Sequence, residues 1–175
     1  MSPRVILVGL PGAGKSTSGR RLAKVMCVAF VDSDDLVEAA EGRAVGTIFA
    51  ESGEAGFREA EHRAVAGCLT SGFDGVLALG GGALTHAPTR DAVVRSGVVV
   101  AVLRAPLHVL LTRVGDAHTR PLLAEDPVTR LARLAEERQP VYDSVATLEV
   151  DTGARTPGQV AAYIAARLHT MGVLP

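Results

Sequence analysis

Gly9-Leu10-Pro11-Gly12-Ala13-Gly14-Lys15-Ser16-Thr17 follows the apolar run Val5-Ile6-Leu7-Val8 and opens a segment of helical spacing, Ser18 to Met26. Strand, glycine loop and helix in that order are the context in which G-x-x-x-x-G-K-[ST] predicts a phosphate cradle. The glycines let the loop curl so that backbone N–H groups of Gly12, Ala13 and Gly14 converge on phosphate oxygens. The helix N-terminus behind it adds partial positive charge. Lys15 is placed to reach the β- and γ-phosphates of a nucleoside triphosphate, and the Ser16 hydroxyl is free to ligate Mg²⁺. A glycine-rich turn that binds nothing is the competing account, and the flanking pattern on both sides argues against it. Of the eighteen lysines and arginines only Lys15 and Lys24 are lysine. One of the two stands where a compact ammonium is wanted.

Bulk composition bounds the rest. A chain of 175 residues suits one domain with a real core. With 47% hydrophobic residues, 21% charged residues and a net charge of −1, it lacks the basic excess of a general nucleic-acid or membrane binder. Cys27 and Cys68 show no C-x-x-C spacing, so two inert buried thiols in a reducing compartment are expected. The apolar start runs straight into the glycine loop, unlike a signal peptide, and no apolar run is long enough to span a bilayer. A cytoplasmic protein is the expectation.

Five short apolar runs recur: Val5–Val8, Val28–Val31, Val76–Leu79, Val98–Leu103 and Thr147–Val150, with helical patterns between them. Apolar runs without alternation are expected of strands buried on both faces. The chain is therefore read as α/β, a three-layer α/β/α fold with a five-stranded parallel sheet. Residues 115–127 are polar, contain His118, Arg120 and two prolines, and are the candidate lid.

Ligands of such sheets bind beyond the carboxyl ends of the strands, which directs attention to particular stretches. Asp32-Ser33-Asp34 follows the second run: one carboxylate is suited to Mg²⁺ through water and the other to an acceptor hydroxyl. A plain helix cap by Asp32 or Ser33, for a helix starting near Asp35, accounts for the same residues. Arg58 and Glu61 share a face of a helix expected over 54–69, and a paired arginine is a good carboxylate or phosphate clamp. Glu59, His62 and Arg63 on that helix read as solvated surface. Gly80-Gly81-Gly82 follows the third run, where glycines let backbone approach a ligand or simply make a flexible turn. Arg113 closes a helix beginning near Pro106, Arg120 lies in the candidate lid, and Arg138 ends a helix from about Val128. Any one of these is more often surface than site. A phosphoryl-transfer enzyme, though, needs cations over the developing charge, and a lid arginine is the usual way to bring one in and exclude water. Arg155-Thr156-Pro157 precedes the last helix, 158–169, and can flank a nucleotide base. His86, His108 and His169 have no partners at metal spacing.

Together these stretches resemble the shikimate kinases, small P-loop kinases of the nucleoside-monophosphate-kinase fold group. The resemblance rests on the loop 9–17, Asp32-x-Asp34, Phe57-Arg58-x-x-Glu61, Gly80-Gly81-Gly82, Arg120-Pro121-Leu122-Leu123 and Arg138-x-Pro140-x-Tyr142. It implies one P-loop kinase domain over 1–175, with an acceptor-binding region at 33–72 and a lid at 115–127. It also implies transfer of phosphate from ATP, with Mg²⁺, to shikimate, by a monomer. Residue by residue, Gly12 to Thr17 would hold the ATP phosphates, Ser16 the Mg²⁺, and Asp32 the metal through water. Asp34 would bind the acceptor's hydroxyls and take its proton. Arg58 and Arg138 would grip the shikimate carboxylate, with Glu61 orienting Arg58 and the Gly80–Gly82 backbone beside the substrate. Lys15 and Arg120 would stabilise the transferring group, and Arg113 and Arg155 would lie near the adenine. The small hydroxyl of Ser33 between the two acids is expected to be harmless. Gluconate and adenylate kinases are the rival enzymes, and a nucleotide-binding regulator without catalysis is the rival of another class. Four phenylalanines, two tyrosines and no tryptophan leave little for stacking a second base.

Overall fold

In the computed structural model, which describes residues 4–115 and 126–174, five parallel strands form one sheet between helices. The strands are β1 (Val5–Val8), β2 (Ala29–Asp32), β3 (Gly75–Ala78), β4 (Val99–Arg104) and β5 (Leu148–Asp151). Their order across the sheet is β2-β3-β1-β4-β5. Val5 pairs with Val76 on one side and Val99 on the other, so β1 runs down the middle. Every residue of β1 and β3 is buried, as uninterrupted apolar runs predict. The outer strands depart from that expectation. In β5, Leu148 and Val150 are buried while Glu149 and Asp151 are exposed, and β2 is only partly covered. Both lie at sheet edges, where one face and one side meet solvent.

The helices are α1 (Lys15–Met26), α2 (Ser33–Glu41), α3 (Val45–Thr70), α4 (Ala87–Ser96), α5 (Leu107–Gly115), α6 (Pro127–Val145) and α7 (Pro157–Thr170). Two apolar clusters organise them. The larger joins the sheet to Leu22 of α1, Leu110 of α5, Leu131 of α6 and Ile164 of α7. The smaller holds Val37 of α2 with Ile48, Phe57 and Ala60 of α3, and packs those two helices against each other.

Several boundaries differ from the sequence reading. Helix α2 begins at Ser33, not near Asp35, because the Asp32 carboxylate accepts from the Asp34 N–H and caps it. Helix α3 starts nine residues earlier than Glu54, and Gly53, at φ 66° and ψ −175°, breaks it into two segments. Helix α6 runs past Arg138 to Val145 and carries Pro140 inside it. Cys68 is buried as expected, but Cys27 is exposed, in the left-handed position that ends α1. Residues 116–125 of the expected lid, with Arg120, lie outside the described residues.

Candidate active site

The loop between β1 and α1 has the shape its sequence demands. Gly12 adopts φ 80°, and a Cβ there would stand 2.8 Å from the Leu110 carbonyl oxygen of α5. Only glycine lets the loop fold that tightly against its neighbour. Gly14, also left-handed, serves as N-cap of α1 without a side-chain cap, leaving first-turn N–H groups aimed out of the helix. Lys15 curls back over the loop, its Nζ donating to the carbonyls of Gly9 at 2.9 Å and Leu10 at 3.3 Å. Burial pulls its pKa down to about 8, against the attraction of Asp32 and with a further push from Arg138. A lysine so placed holds its charge weakly when alone and gains from an anion.

Ser16 Oγ donates to Asp32 Oδ2 at 2.7 Å, so hydroxyl and carboxylate meet at the mouth of the loop. An all-oxygen pair of this kind suits a small hard cation that keeps most of its waters. Among the described residues no group of three or more His, Cys, Asp or Glu side chains is arranged to hold a metal ion, so Ser16 and Asp32 are the candidate protein contribution to a metal shell here. Asp32 caps α2 through Oδ1, as the helix-cap account expects, and accepts from Ser16 through Oδ2.

Across the cleft stands a second cluster. Glu61 of α3 has no exposed surface, yet carries a carboxylate. It is paired with Arg58 Nη1 and accepts from Ser33 Oγ at 3.0 Å. The Arg58 guanidinium lies 5.1 Å over the Phe57 ring, itself stacked on Phe49 at 4.4 Å. Its Nε–H is buried without an acceptor. Arg138 comes in from α6, and the two arginines flank the glycines. A Cβ at Gly82 would fall 2.3 Å from Arg58 Nη2, and one at Gly81 would fall 2.8 Å from Arg138 Nη1. Two guanidinium groups against bare backbone form a docking place for a carboxylate. Tyr142 Oη donates to the Gly81 carbonyl at 2.6 Å and holds that wall from behind. Its phenol is pushed upward by burial, so it stays a donor.

Asp34 faces open solvent in the cleft between the two clusters, but the walls exclude enough water to disfavour its charge. Partial desolvation first, then the neighbouring carboxylates of Asp32 and Glu61, raise its pKa to about 6; Arg58 and Lys15 act the other way. A carboxylate whose proton affinity is raised in this way is suited to act as a base.

The base-binding candidates divide. Arg113 reaches the loop, donating to Gly12 O at 3.3 Å and to Thr152 O at 2.7 Å. Arg155 turns instead toward the edge of β5, donating to Asp151 O at 2.7 Å with its guanidinium 5.3 Å over Tyr163. Three supporting residues escaped the sequence reading: Ser33, Tyr142 and Thr152. Thr152 Oγ1 donates within reach of Ala13 O and Arg104 O, both at 3.1 Å, and ties the loop to β4 and β5. Ser33 and Tyr142 sit inside motifs already quoted, but the contacts that give them purpose are long-range.

The comparisons with known proteins agree with this geometry. A family model described as shikimate kinase matches residues 11–169. A shikimate kinase of Mycobacterium avium is 46% identical over 169 residues, covering 96% of this chain and 94% of its own. Among solved structures, shikimate kinase from Acinetobacter baumannii in complex with shikimate superposes with a TM-score of 0.87. It is 35% identical and covers 98% of this chain and 94% of its own. A gluconokinase from Sinorhizobium meliloti, with a TM-score of 0.67 at 19% identity over 97% of this chain and 93% of its own, shares the fold alone. On motif, architecture and near full-length identity together, the chain belongs to the shikimate kinase family.

Proposed function

We propose that this chain transfers the γ-phosphoryl group of ATP to the 3-hydroxyl of shikimate, giving shikimate 3-phosphate and ADP, and works as a cytoplasmic monomer. The observation that carries the acceptor's identity is the Arg58–Glu61 pair beside Asp34 and Arg138. A small acid with vicinal hydroxyls needs cations for its carboxylate and a carboxylate for its hydroxyls, and these four residues supply both.

The loop 12–17 binds the ATP phosphates through backbone N–H groups and Lys15. Ser16 and, through water, Asp32 would hold Mg²⁺, which would supply neutralisation of phosphate charge. Arg58 and Arg138 fix the acid's carboxylate against the Gly80–Gly82 backbone, which aims its hydroxyls at Asp34. The hydroxyl oxygen forms a bond to the γ-phosphorus as the bond to the β-γ bridging oxygen breaks. Asp34 accepts the hydroxyl proton, and Lys15 meets the charge on the moving phosphoryl group. Arg113, resting on the loop, borders the nucleotide; Arg120 and Arg155 hold the roles implied by resemblance, over the phosphates and near the base.

The test is ADP release from ATP and Mg²⁺ with shikimate, gluconate, AMP or no acceptor. A strong rise with shikimate alone is expected. A response to gluconate or AMP assigns the acceptor site otherwise, and nucleotide binding without acceptor-dependent turnover makes the chain a regulator.

A further inference from the structure

Ser33 stands in the chain between Asp32 and Asp34, at the start of α2. It has no exposed surface. Its Oγ accepts from the Gly80 N–H at 2.8 Å and donates to Glu61 Oε1 at 3.0 Å. Glu61 uses its other oxygen, Oε2, for Arg58 Nη1. A continuous run of hydrogen bonds therefore leads from the glycine wall through Ser33 and Glu61 to Arg58.

Arg58 depends on that run. Its Nε–H has no acceptor, its approach to Glu54 is 3.6 Å, and Glu54 is 70% exposed on its side chain, so the buried Glu61 is the firm anchor. A carboxylate held at one oxygen rotates easily, because its terminal torsion is broad and two-fold. Held at both, its plane is set, and with it the plane of the guanidinium it grips. The same hydroxyl also fixes where β3 hands over to the glycines, opposite Arg58 and Arg138.

We propose that Ser33 is a positioning residue for the acceptor: through Glu61 and Gly80 it sets the separation between the Arg58 guanidinium and the glycine wall where the carboxylate docks. This rests on the reading that Arg58 grips the acceptor's carboxylate. The side chain between the two acids is then a working part and not a spacer.

Ser33→Ala, Ser33→Thr and Arg58→Ala are compared with the wild-type enzyme by steady-state kinetics, varying shikimate and ATP in turn, with thermal melts alongside. Ser33→Ala is expected to raise the KM for shikimate about tenfold and to change that for ATP less than about twofold. Threonine, which keeps the hydroxyl, is expected to recover most of the loss. A purely structural role would lower the melting temperature and leave the ratio of the two KM values alone. Unchanged shikimate KM, equal changes in both, or a threonine variant no better than alanine overturns the proposal. Should alanine abolish the cooperative melt, Ser33→Cys, with its weak S–H donor, carries the same test and the same two outcomes. Arg58→Ala separates the failures. If it leaves the shikimate KM unchanged, the acceptor reading fails and the role of Ser33 fails with it. If it raises that KM while Ser33→Ala does not, Ser33 alone is refuted.

Discussion

Asp34 and Lys15 are each held away from their ordinary proton affinity, and the two shifts point toward one another. The acid is raised to about 6 and the amine is lowered to about 8. Activity that needs Asp34 ionised and Lys15 protonated is therefore bounded on both sides. Plots of kcat/KM against pH are expected to fall below about pH 6 and above about pH 8, and Asp34→Asn removes turnover while leaving ATP binding. Loss of ATP affinity with turnover intact would assign Asp34 to the nucleotide. The same acid bears on stability with a definite sign. Its folded pKa lies above the unfolded value, so the native state binds more protons between about 4 and 6, and stability declines as pH rises through that interval. At neutral pH the ionised group is a standing cost. Asp34→Asn is expected to melt higher than the wild type at pH 7.5, with the advantage shrinking once the pH is taken below 6. A variant that melts lower at pH 7.5 would show that Asp34 makes native contacts worth more than its desolvation.

Among the elements, α3 carries Arg58 and Glu61, the pair proposed to meet the acceptor. Its first segment packs Ile48 into the small core and its second carries Phe57, Arg58 and Glu61, with Gly53 between them. At φ 66° and ψ −175° Gly53 occupies a region nearly closed to other residues, while a Cβ there would meet nothing within 4 Å. The constraint is thus backbone alone. Gly53→Ala is expected to cost about 1–3 kcal/mol, a fall of several degrees in melting temperature at roughly 2–4 °C per kcal/mol for a chain of this size. If the alanine chain relaxes by straightening the helix, Arg58 swings and the shikimate KM rises as well. An unchanged melting temperature would mean that the two segments are not held at that angle in solution. Helix α6 has a comparable construction: Pro140 interrupts its hydrogen bonding between Arg138, which faces the glycines, and Tyr142, which braces them.

For the molecule as a whole, the sheet divides the work. On the proposed function, strands β1 and β4 with α1 and α5 would carry the nucleotide, and strands β2 and β3 with α2 and α3, joined by α6, would carry the acceptor. Because the acceptor cluster is built from arginines and a buried carboxylate apart from the Ser16–Asp32 pair, chelating divalent metal is expected to stop ADP release yet leave a shikimate-induced rise in melting temperature. Loss of that rise on chelation would place the metal in the acceptor site. Much of this division was legible beforehand. The glycine loop, the parallel sheet and the Arg58–Glu61 face follow from local chemistry, namely turn residues, apolar runs and helical spacing. What escaped were relations between distant residues. Ser33 looked like a filler because its partners, Glu61 and Gly80, are far away in sequence. Thr152 carries no motif, and the turn of Arg155 toward Tyr163 depends on how α7 meets β5. Edge exposure of β5 was hidden because alternation over four residues is too short to register against the apolar runs around it.

The central place of β1 also governs the order in which the molecule can come into being. The first strand and its glycine loop leave the ribosome before the strands that flank β1, which begin only at Gly75 and Val99. Until both have emerged, the loop is tethered to a strand with no neighbours, and closing such long stretches of chain is entropically slow. A nascent chain arrested before β4 should therefore fail to retain nucleotide, although every residue of the phosphate loop is already present.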